Sequence, residues 1–211
     1  MTRIESVSTQ PDRAGRYTVK LDNGKVLRLY RQTVEDFTLY VGKVLDDGEF
    51  ARLQDAAGKM SAKMRAVRIV SASSVSKADL EQRLVQKGES KSDARQAVEW
   101  MTELDLLDDE KTAQQVVRHC ISKGYGLARA KQALYEKRIP KEYWASALAD
   151  YPDQIEKMVA FLQTRLGNDW DERDLRRATD ALLRRGHSYR DIRKALEIIS
   201  GDSDIREDLY D

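Results

Sequence analysis

Three windows of this sequence repeat one order of residue types, and the repeat constrains the fold more than any other feature. The windows are LVQKGESKSDARQAV (84–98), LYEKRIPKEYWASAL (134–148) and LLRRGHSYRDIRKAL (182–196). Each starts with leucine, has a basic residue three positions later and a helix-opening residue six positions later, and ends in alanine followed by an apolar residue. The windows start 50 and 48 residues apart. A period of this length, with three helices in each unit, indicates an array of helical repeats.

The first 32 residues have a different pattern, which predicts β-structure. The segment RYTVKL-DNG-KVLRLY (16–30) contains two β-rich runs joined by Asp22-Asn23-Gly24, and this turn sequence supplies the positive φ that a hairpin requires. The alternating segment RIESVS (3–8) predicts a third strand. Because an isolated hairpin is only marginally stable, we expect this segment to pack on the helices that follow.

From residue 33 onward the apolar residues recur with a helical period, and capping residues mark the helix starts. TVED (33–36) has the pattern of a capping box and predicts a short helix to about Val41. A long helix is predicted from Asp46-Asp47 to about Ala72. Later start signals are Ser76, Ser90, Asp108, Gly126, Pro140, Pro152, Asp171 and Ser188. We therefore predict an N-terminal β segment with a short helix (1–45), helical units at 46–107, 108–150 and 151–200, and an acidic tail (201–211).

The segment LDLLDDEKTA (104–113) concentrates carboxylates, which could hold a metal, perform acid–base chemistry or open a helix. A similar sequence, LDDGEFA (45–51), also stands where a helix is predicted to begin. A carboxylate at that position accepts a free backbone N–H and faces the positive end of the helix dipole. Capping therefore explains Asp108, Asp109 and Glu110 without a metal.

No constellation of residues indicates catalysis. The chain has two histidines and one cysteine, and it lacks a nucleophile elbow, a phosphate-binding loop and a zinc-protease motif. Neighbouring His119 and Cys120 point about 100° apart on a helix, so they do not converge on one ligand. We expect no catalytic residue, no metal and no cofactor. One cysteine excludes an internal disulfide and fits a reducing compartment, and no run of 18 apolar residues occurs, so a cytoplasmic protein is predicted.

Positive charge is concentrated in the middle of the chain. Residues 111–148 contain 8 basic and 2 acidic residues, a net charge of +6, whereas the whole chain has a net charge of +1. A stripe of basic residues along an array would bind phosphate backbones or acidic protein surfaces. The alternative is a set of solvated helix faces whose arginines pair with acids on their own helix. The candidate partner-binding residues are Lys123, Tyr125, Arg129, Lys131, Lys137, Arg138, Lys141, Arg184, Arg185 and Arg190.

Four stretches resemble the RecX family, the small regulators of the RecA recombinase. They are SKADLEQRLVQKGES (76–90), LDLLDDEKTA (104–113), SKGYGLARAKQALYEKRIP (122–140) and ALLRRGHSYRDIRKAL (181–196). Their order and spacing also match, and the likeness spans about residues 60–199. The chain departs from the family pattern at Asp105, where glycine is usual, and at Thr112 and His187, where aromatic residues are common.

The resemblance implies three tandem three-helix repeats in an elongated, curved array. It also implies a protein that binds in the groove of the RecA–single-stranded DNA filament, hinders strand exchange and co-protease activity, and favours filament loss. The implied partners are the RecA filament and, more weakly, single-stranded or double-stranded DNA. We expect a monomer that is not an enzyme and has no membrane partner. Two other hypotheses remain open: a general helical nucleic-acid-binding protein that acts on DNA directly, and an enzyme with an unrecognised site.

Overall fold

The computed structural model describes residues 1–167 and 170–201, and this part of the chain is mainly helical with a small N-terminal sheet. The expected fold class is therefore confirmed. The chain divides into two compact units, Met1–Leu107 and a second that begins at Asp108. The finer division into five segments stays a prediction, and residues 202–211 of the predicted acidic tail lie outside the described residues. Within the described ranges, no helix is both long enough and apolar enough to cross a bilayer.

The sheet of the first unit has four antiparallel strands in the order β3-β2-β1-β4. The strands are β1 (Thr2–Val7), β2 (Arg16–Leu21), β3 (Val26–Tyr30) and β4 (Val44–Leu45). The β2–β3 hairpin turns at Gly24, whose φ of 78° is the positive value that the turn sequence predicts. Periodicity does not predict β4, because two residues are too few to show an alternation.

The first helix begins earlier than its predicted capping box. Helix α1 spans Arg31–Asp36, and Tyr30 precedes it without a side-chain capping bond. Thr33 lies inside the helix and is 2% exposed. The prediction that Thr33 opens this helix is wrong, because β3 runs directly into α1 and Thr33 is buried in the helix.

The three helices that follow α1 in the first unit begin at the predicted caps. They are α2 (Asp47–Ala72), α3 (Lys77–Gln86) and α4 (Lys91–Glu103). The side chains of Asp46, Ser76 and Ser90 each accept a hydrogen bond from the backbone N–H three residues later. Ala62 and Ala66 of α2 are fully buried in the core that α2 shares with α3 and α4. Their small side chains allow the neighbouring helices to approach α2 closely.

The second unit contains two groups of helices with separate hydrophobic clusters. The first group is α5 (Asp109–Ser122), α6 (Leu127–Glu136), a 3-10 turn (Lys141–Tyr143) and α7 (Trp144–Leu148). The second group is α8 (Ile155–Leu166), α9 (Glu172–Arg184) and α10 (Tyr189–Ser200). Two predicted starts differ from the structure: Pro140 precedes the 3-10 turn rather than a regular helix, and α8 begins three residues after Pro152.

The three repeated windows share one backbone geometry at the end of their first helix. In each window the leading leucine carbonyl accepts a bond from the N–H five residues later, at 3.1 Å for Leu84 and Glu89, 3.0 Å for Leu134 and Ile139, and 3.2 Å for Leu182 and His187. The residue before each donor has a left-handed φ: 92° at Gly88, 55° at Arg138 and 84° at Gly186. This arrangement is a glycine-type helix ending. The repeat found in the sequence is therefore a repeat of backbone structure.

The acidic junction at residues 104–113 opens a helix, as capping predicts. The Asp108 side chain accepts a hydrogen bond from the Lys111 backbone N–H at 3.0 Å. This bond is the main cause that lowers the pKa of Asp108 below its ordinary value. The carboxylate is therefore ionised at neutral pH and faces the first turn of α5.

Replacing Asp108 with alanine removes this acceptor, so Asp108→Ala should lower the free energy of unfolding by about 1 kcal/mol. Asn is an equally good capping residue, so Asp108→Asn should lower the free energy of unfolding by much less than Asp108→Ala does. Urea unfolding of the two variants and the parent chain measures the difference. Equal stability of Asp108→Ala and the parent chain would show that the cap is unimportant.

Candidate functional site

An open cleft in the second unit is lined by four arginines and two aromatic rings. Its volume is ≈ 420 Å³, and its lining residues are Tyr125, Arg129, Phe161, Arg165, Ala181, Arg184 and Arg185. None of these residues is acidic. They come from α6 with the segment before it, from α8, and from α9 with the turn after it. We call this site the arginine cleft.

One arginine of the cleft is stacked on one of its aromatic rings. The Arg185 guanidinium lies over the Phe161 ring, 4.4 Å from the ring centroid. A cation in this position is attracted by the negative face of the ring. Arg165 lies four residues after Phe161 on α8 and therefore projects from the same side of that helix. One face of α8 thus supplies both an aromatic ring and a second guanidinium.

The arginines of the cleft differ in their ion pairs. Arg129 Nη1 lies 3.0 Å from Glu136 Oε1, and Gln132 Nε2 donates to the same oxygen at 3.3 Å. The bond from Arg129, followed by that from Gln132, lowers the pKa of Glu136 below its ordinary value. The other three arginines form no ion pair with a carboxylate among the residues that the structure describes. Within residues 1–167 and 170–201, three of the four cleft arginines therefore have no carboxylate partner.

Two other arginines on α9 pair with acids of the same helix, which is the alternative to a binding stripe that the sequence left open. Arg176 Nη2 lies 2.9 Å from Glu172 Oε1, and Arg177 Nη1 lies 3.8 Å from Asp174 Oδ1. Both arginines pair with acids one turn away on their own helix, as expected for a solvated face. The two ends of α9 therefore differ in charge balance, and only the C-terminal end contributes to the arginine cleft.

The cleft exists because two glycine backbones meet. The Gly126 N–H donates to the Arg185 carbonyl at 2.9 Å, and the Ala128 N–H donates to the Gly186 carbonyl at 3.3 Å. A Cβ atom at position 126 would collide with the Gly186 carbonyl, and one at position 186 would collide with the Arg129 backbone N. Glycine at both positions therefore allows the start of α6 to touch the turn between α9 and α10.

Two side chains form hydrogen bonds with backbone carbonyls of the Gly124–Gly126 segment. One is Tyr151, which precedes α8, and the other is His187, which lies between α9 and α10. The Tyr151 hydroxyl donates to the Tyr125 carbonyl at 2.7 Å, and burial raises the pKa of Tyr151 to about 12. His187 Nε2 lies 3.0 Å from the Gly124 carbonyl. Because His187 is 8% exposed, its burial lowers its pKa, and a neutral imidazole donates to that carbonyl. The tripeptide is therefore a helix ending and a packed turn.

The structure brings four of the ten predicted partner-binding residues together in the arginine cleft: Tyr125, Arg129, Arg184 and Arg185. Lys131 lines a separate cavity of ≈ 440 Å³, whose lining also includes Asp153 and Asp191. That second cavity is of mixed charge and does not resemble an anion site. The remaining predicted residues lie outside both cavities: Lys123, Lys137, Arg138, Lys141 and Arg190.

Three lining residues of the cleft, Phe161, Arg165 and Ala181, were absent from the sequence-based candidates, and the first two supply a ring and a charge. Helix α8 is apolar along much of its length, and this pattern indicates a core helix rather than a binding element. The available signal was the four-residue spacing between Phe161 and Arg165, which places an aromatic ring and a cation on one helix face. That spacing becomes informative only when the neighbouring helix is known.

Comparison with known proteins gives consistent results. A family model described as RecX, second three-helix domain, matches residues 108–148. The regulatory protein RecX of Vibrio parahaemolyticus is 28% identical over 143 residues, which cover 66% of this chain and 92% of that relative. The regulatory protein RecX of Xanthomonas campestris pv. campestris is 31% identical over 123 residues, which cover 57% of this chain and 76% of that relative. The chain belongs to the RecX family.

Two solved structures of RecX proteins share the fold. A crystal structure of regulatory protein RecX aligns with a TM-score of 0.60 at 22% identity, over 96% of this chain and 100% of that one. A crystal structure of RecX from Lactobacillus salivarius aligns with a TM-score of 0.58 at 22% identity, over 70% of this chain and 99% of that one. At this identity the similarity concerns the fold alone.

The departures from the RecX family pattern have local structural explanations. Asp105, at the usual glycine position, has a left-handed φ of 55°, and aspartate is one of the few residues that tolerate this conformation. Thr112 is 6% exposed, and its hydroxyl donates to the Asp108 carbonyl at 2.7 Å. His187 is buried and bound to the Gly124 carbonyl. Both polar residues therefore make a hydrogen bond to a backbone carbonyl at their buried positions.

The contact between Gly126 and Gly186 predicts a specific steric effect. Gly126 has an ordinary φ of −78°, so Gly126→Ala introduces a collision without backbone strain. We expect this variant to lose about 1–3 kcal/mol of unfolding free energy, the usual cost of overpacking. Unfolding in guanidinium chloride measures the loss.

Gly48→Ala is the matched control, because Gly48 lies in the first turn of α2, and the nearest atom to its added Cβ is a side-chain oxygen at 3.3 Å. Alanine is preferred to glycine within a helix by roughly 0.5–1 kcal/mol, which offsets the small shift required of the Asp46 carboxylate, so the control should cost much less stability than Gly126→Ala. Equal effects of the two substitutions would contradict the role of the glycine contact.

Proposed function

We propose that this chain is a regulatory protein that binds the RecA–single-stranded DNA filament in its groove and inhibits or modulates the recombinase, ATPase and co-protease activities of RecA in DNA repair. The observation that carries the proposal is the arginine cleft, in which three guanidinium groups have no carboxylate partner among the described residues. Membership in the RecX family and the resemblance to regulators of RecA support the choice of partner.

The chemistry of the cleft fits a surface that carries phosphates. Arginine presents several N–H donors in a planar fork that matches phosphate and carboxylate oxygens. A cluster of arginines also raises the rate at which an oppositely charged partner associates. A bound regulator of this kind needs no catalytic group, because it acts by occupying a surface that the filament uses.

The proposal is tested by removing two positive charges from the cleft. The double variant Arg129→Gln with Arg184→Gln is neutral at both positions. Each hydrogen bond to a charged group is typically worth about 1.5–3 kcal/mol. The double variant should therefore inhibit DNA-dependent ATP hydrolysis by RecA at least about tenfold more weakly than the parent chain. The measurement is the concentration of the chain that halves the hydrolysis rate.

Arg176→Gln with Arg177→Gln is the control, because it removes the same charge from the opposite end of α9, where both arginines pair with their own helix. The control should inhibit almost as well as the parent chain. If the parent chain does not change the hydrolysis rate at low salt, RecA is not the partner. If both double variants lose potency equally, net charge rather than the cleft is responsible.

The alternative is a general helical protein that binds nucleic acid directly, and the two aromatic rings among the arginines favour it. Single-stranded nucleic acid is commonly held by aromatic stacking platforms within basic grooves. A comparison of binding to bare single-stranded DNA and to RecA-coated DNA separates the two functions. Tighter binding to bare DNA would favour the alternative, and tighter binding to the coated strand would favour regulation of RecA.

A further inference from the structure

Glu136 is the one carboxylate within ion-pairing distance of the arginine cleft in the described part of the chain. It reaches Arg129 from seven residues further along α6, across two helical turns. The two side chains are 39% and 49% exposed. Exposed ion pairs are weak because water and salt screen them. A multivalent or better-placed anion can therefore replace Glu136 at Arg129.

A phosphate fits the remaining donors better than Glu136 does. Arg165, Arg184 and Arg185 line the same cleft as Arg129, whereas Glu136 is paired with Arg129 alone among these arginines. A phosphate that enters the cleft exchanges one screened contact for contacts with several guanidinium groups. Both the contact that is lost and those that are gained are charge-assisted hydrogen bonds, so the phosphate gains through the number of its contacts.

The aromatic side chains indicate which phosphate compound fits. Tyr125 and Phe161 line the cleft beside the arginines, and the ring of Phe161 already carries Arg185. Tyr125 is half-buried, so its ring offers a flat surface for an unstacked base. A cleft of ≈ 420 Å³ lies in the range of sites for small molecules, which suits a single nucleotide unit and not a duplex. An acidic peptide has phosphate-like charge but no base to stack.

We propose that the arginine cleft holds a phosphate of single-stranded nucleic acid and that Glu136 competes with this phosphate for Arg129. Glu136 thus limits the affinity of the unbound protein, and the ligand displaces it on binding. This inference deepens the proposed function, because the single strand in the RecA filament would be the source of the phosphate.

The test uses the full chain and a fluorescein-labelled oligothymidylate of about 15 nucleotides, a length within the range of single-strand sites. Fluorescence anisotropy at fixed low salt gives the dissociation constant. Glu136→Gln should tighten binding about two- to fivefold, the factor that corresponds to one exposed ion pair. Arg165→Gln with Arg184→Gln should weaken binding at least about tenfold. Thermal unfolding followed by circular dichroism checks that each variant folds.

Glu197→Gln is the matched control, because Glu197 pairs with Arg193 on α10 at 3.2 Å and lies outside the cleft. It changes the net charge by the same amount and should leave affinity nearly unchanged. Equal tightening by Glu136→Gln and Glu197→Gln would overturn the competition, since net charge would then explain both. Preference for polyglutamate over the oligonucleotide would overturn the assignment to nucleic acid.

The same variants in the RecA hydrolysis assay separate this inference from the proposed function. If Glu136→Gln tightens oligonucleotide binding and also strengthens inhibition, both stand. If it tightens binding while the parent chain and the variant fail to inhibit RecA, the inference stands and the proposed function fails. The third outcome is strong inhibition of RecA by the parent chain, with Glu136→Gln and the Arg165→Gln, Arg184→Gln double variant binding the oligonucleotide as tightly as the parent chain does. In that case the inference fails and the proposed function stands.

Discussion

Two glycine backbones in the second unit touch so closely that neither position has room for a side chain, and the arginine cleft depends on this contact. Gly126 opens α6, and Gly186 lies in the turn between α9 and α10. Their hydrogen bonds bring α6 against the second helix group, so Arg129 comes to lie beside Arg184 and Arg185. A charged site assembled from separate helices thus rests on an uncharged backbone contact.

Electrostatic balance distinguishes the cleft from the rest of the surface. Eight of the described ion pairs join residues three or four positions apart in the chain, six of them within one helix, and such pairs neutralise charge where it arises. In the cleft, four arginines line one site, and in the described part of the chain only Arg129 is paired with a carboxylate, that of Glu136. Such an excess of like charge is unfavourable in a folded protein unless an anion neutralises it, and this supports a binding role for the site.

Local signals in the sequence predicted most of the fold. Capping residues such as Ser90 and Ser188 identified helix starts, because a cap depends on three neighbouring residues only. The repeat identified Leu84, Leu134 and Leu182, all of which are almost fully buried. The helix start predicted at Thr33 was wrong because a capping-box pattern also occurs within a helix. The two-residue strand β4 was missed because it is defined by its partner strand and not by its own sequence.

The candidate site was predicted in part, and the reason is again distance along the chain. The clustering of positive charge near residues 123–141 and 184–190 is visible in the sequence, so Arg129, Arg184 and Arg185 were found. Arg165 and Phe161 lie on a helix that the sequence indicates is core, and their contribution depends on the packing of α8 against α9. The meeting of Gly126 with Gly186 joins residues 60 positions apart, which no local pattern reports.

The central claim is that the arginine cleft faces the RecA–single-stranded DNA filament. Replacing Tyr125 with the photo-crosslinking residue benzoylphenylalanine places a reactive group in the cleft, and the same residue at Tyr40, which is 59% exposed in the first unit, serves as a comparison. Irradiation of each variant on the filament, followed by identification of the adducts, is the most direct measurement. If the cleft faces the filament, position 125 forms adducts with the DNA strand or with RecA in greater yield than position 40. Absence of an adduct at position 125, with inhibition of RecA retained, would contradict it.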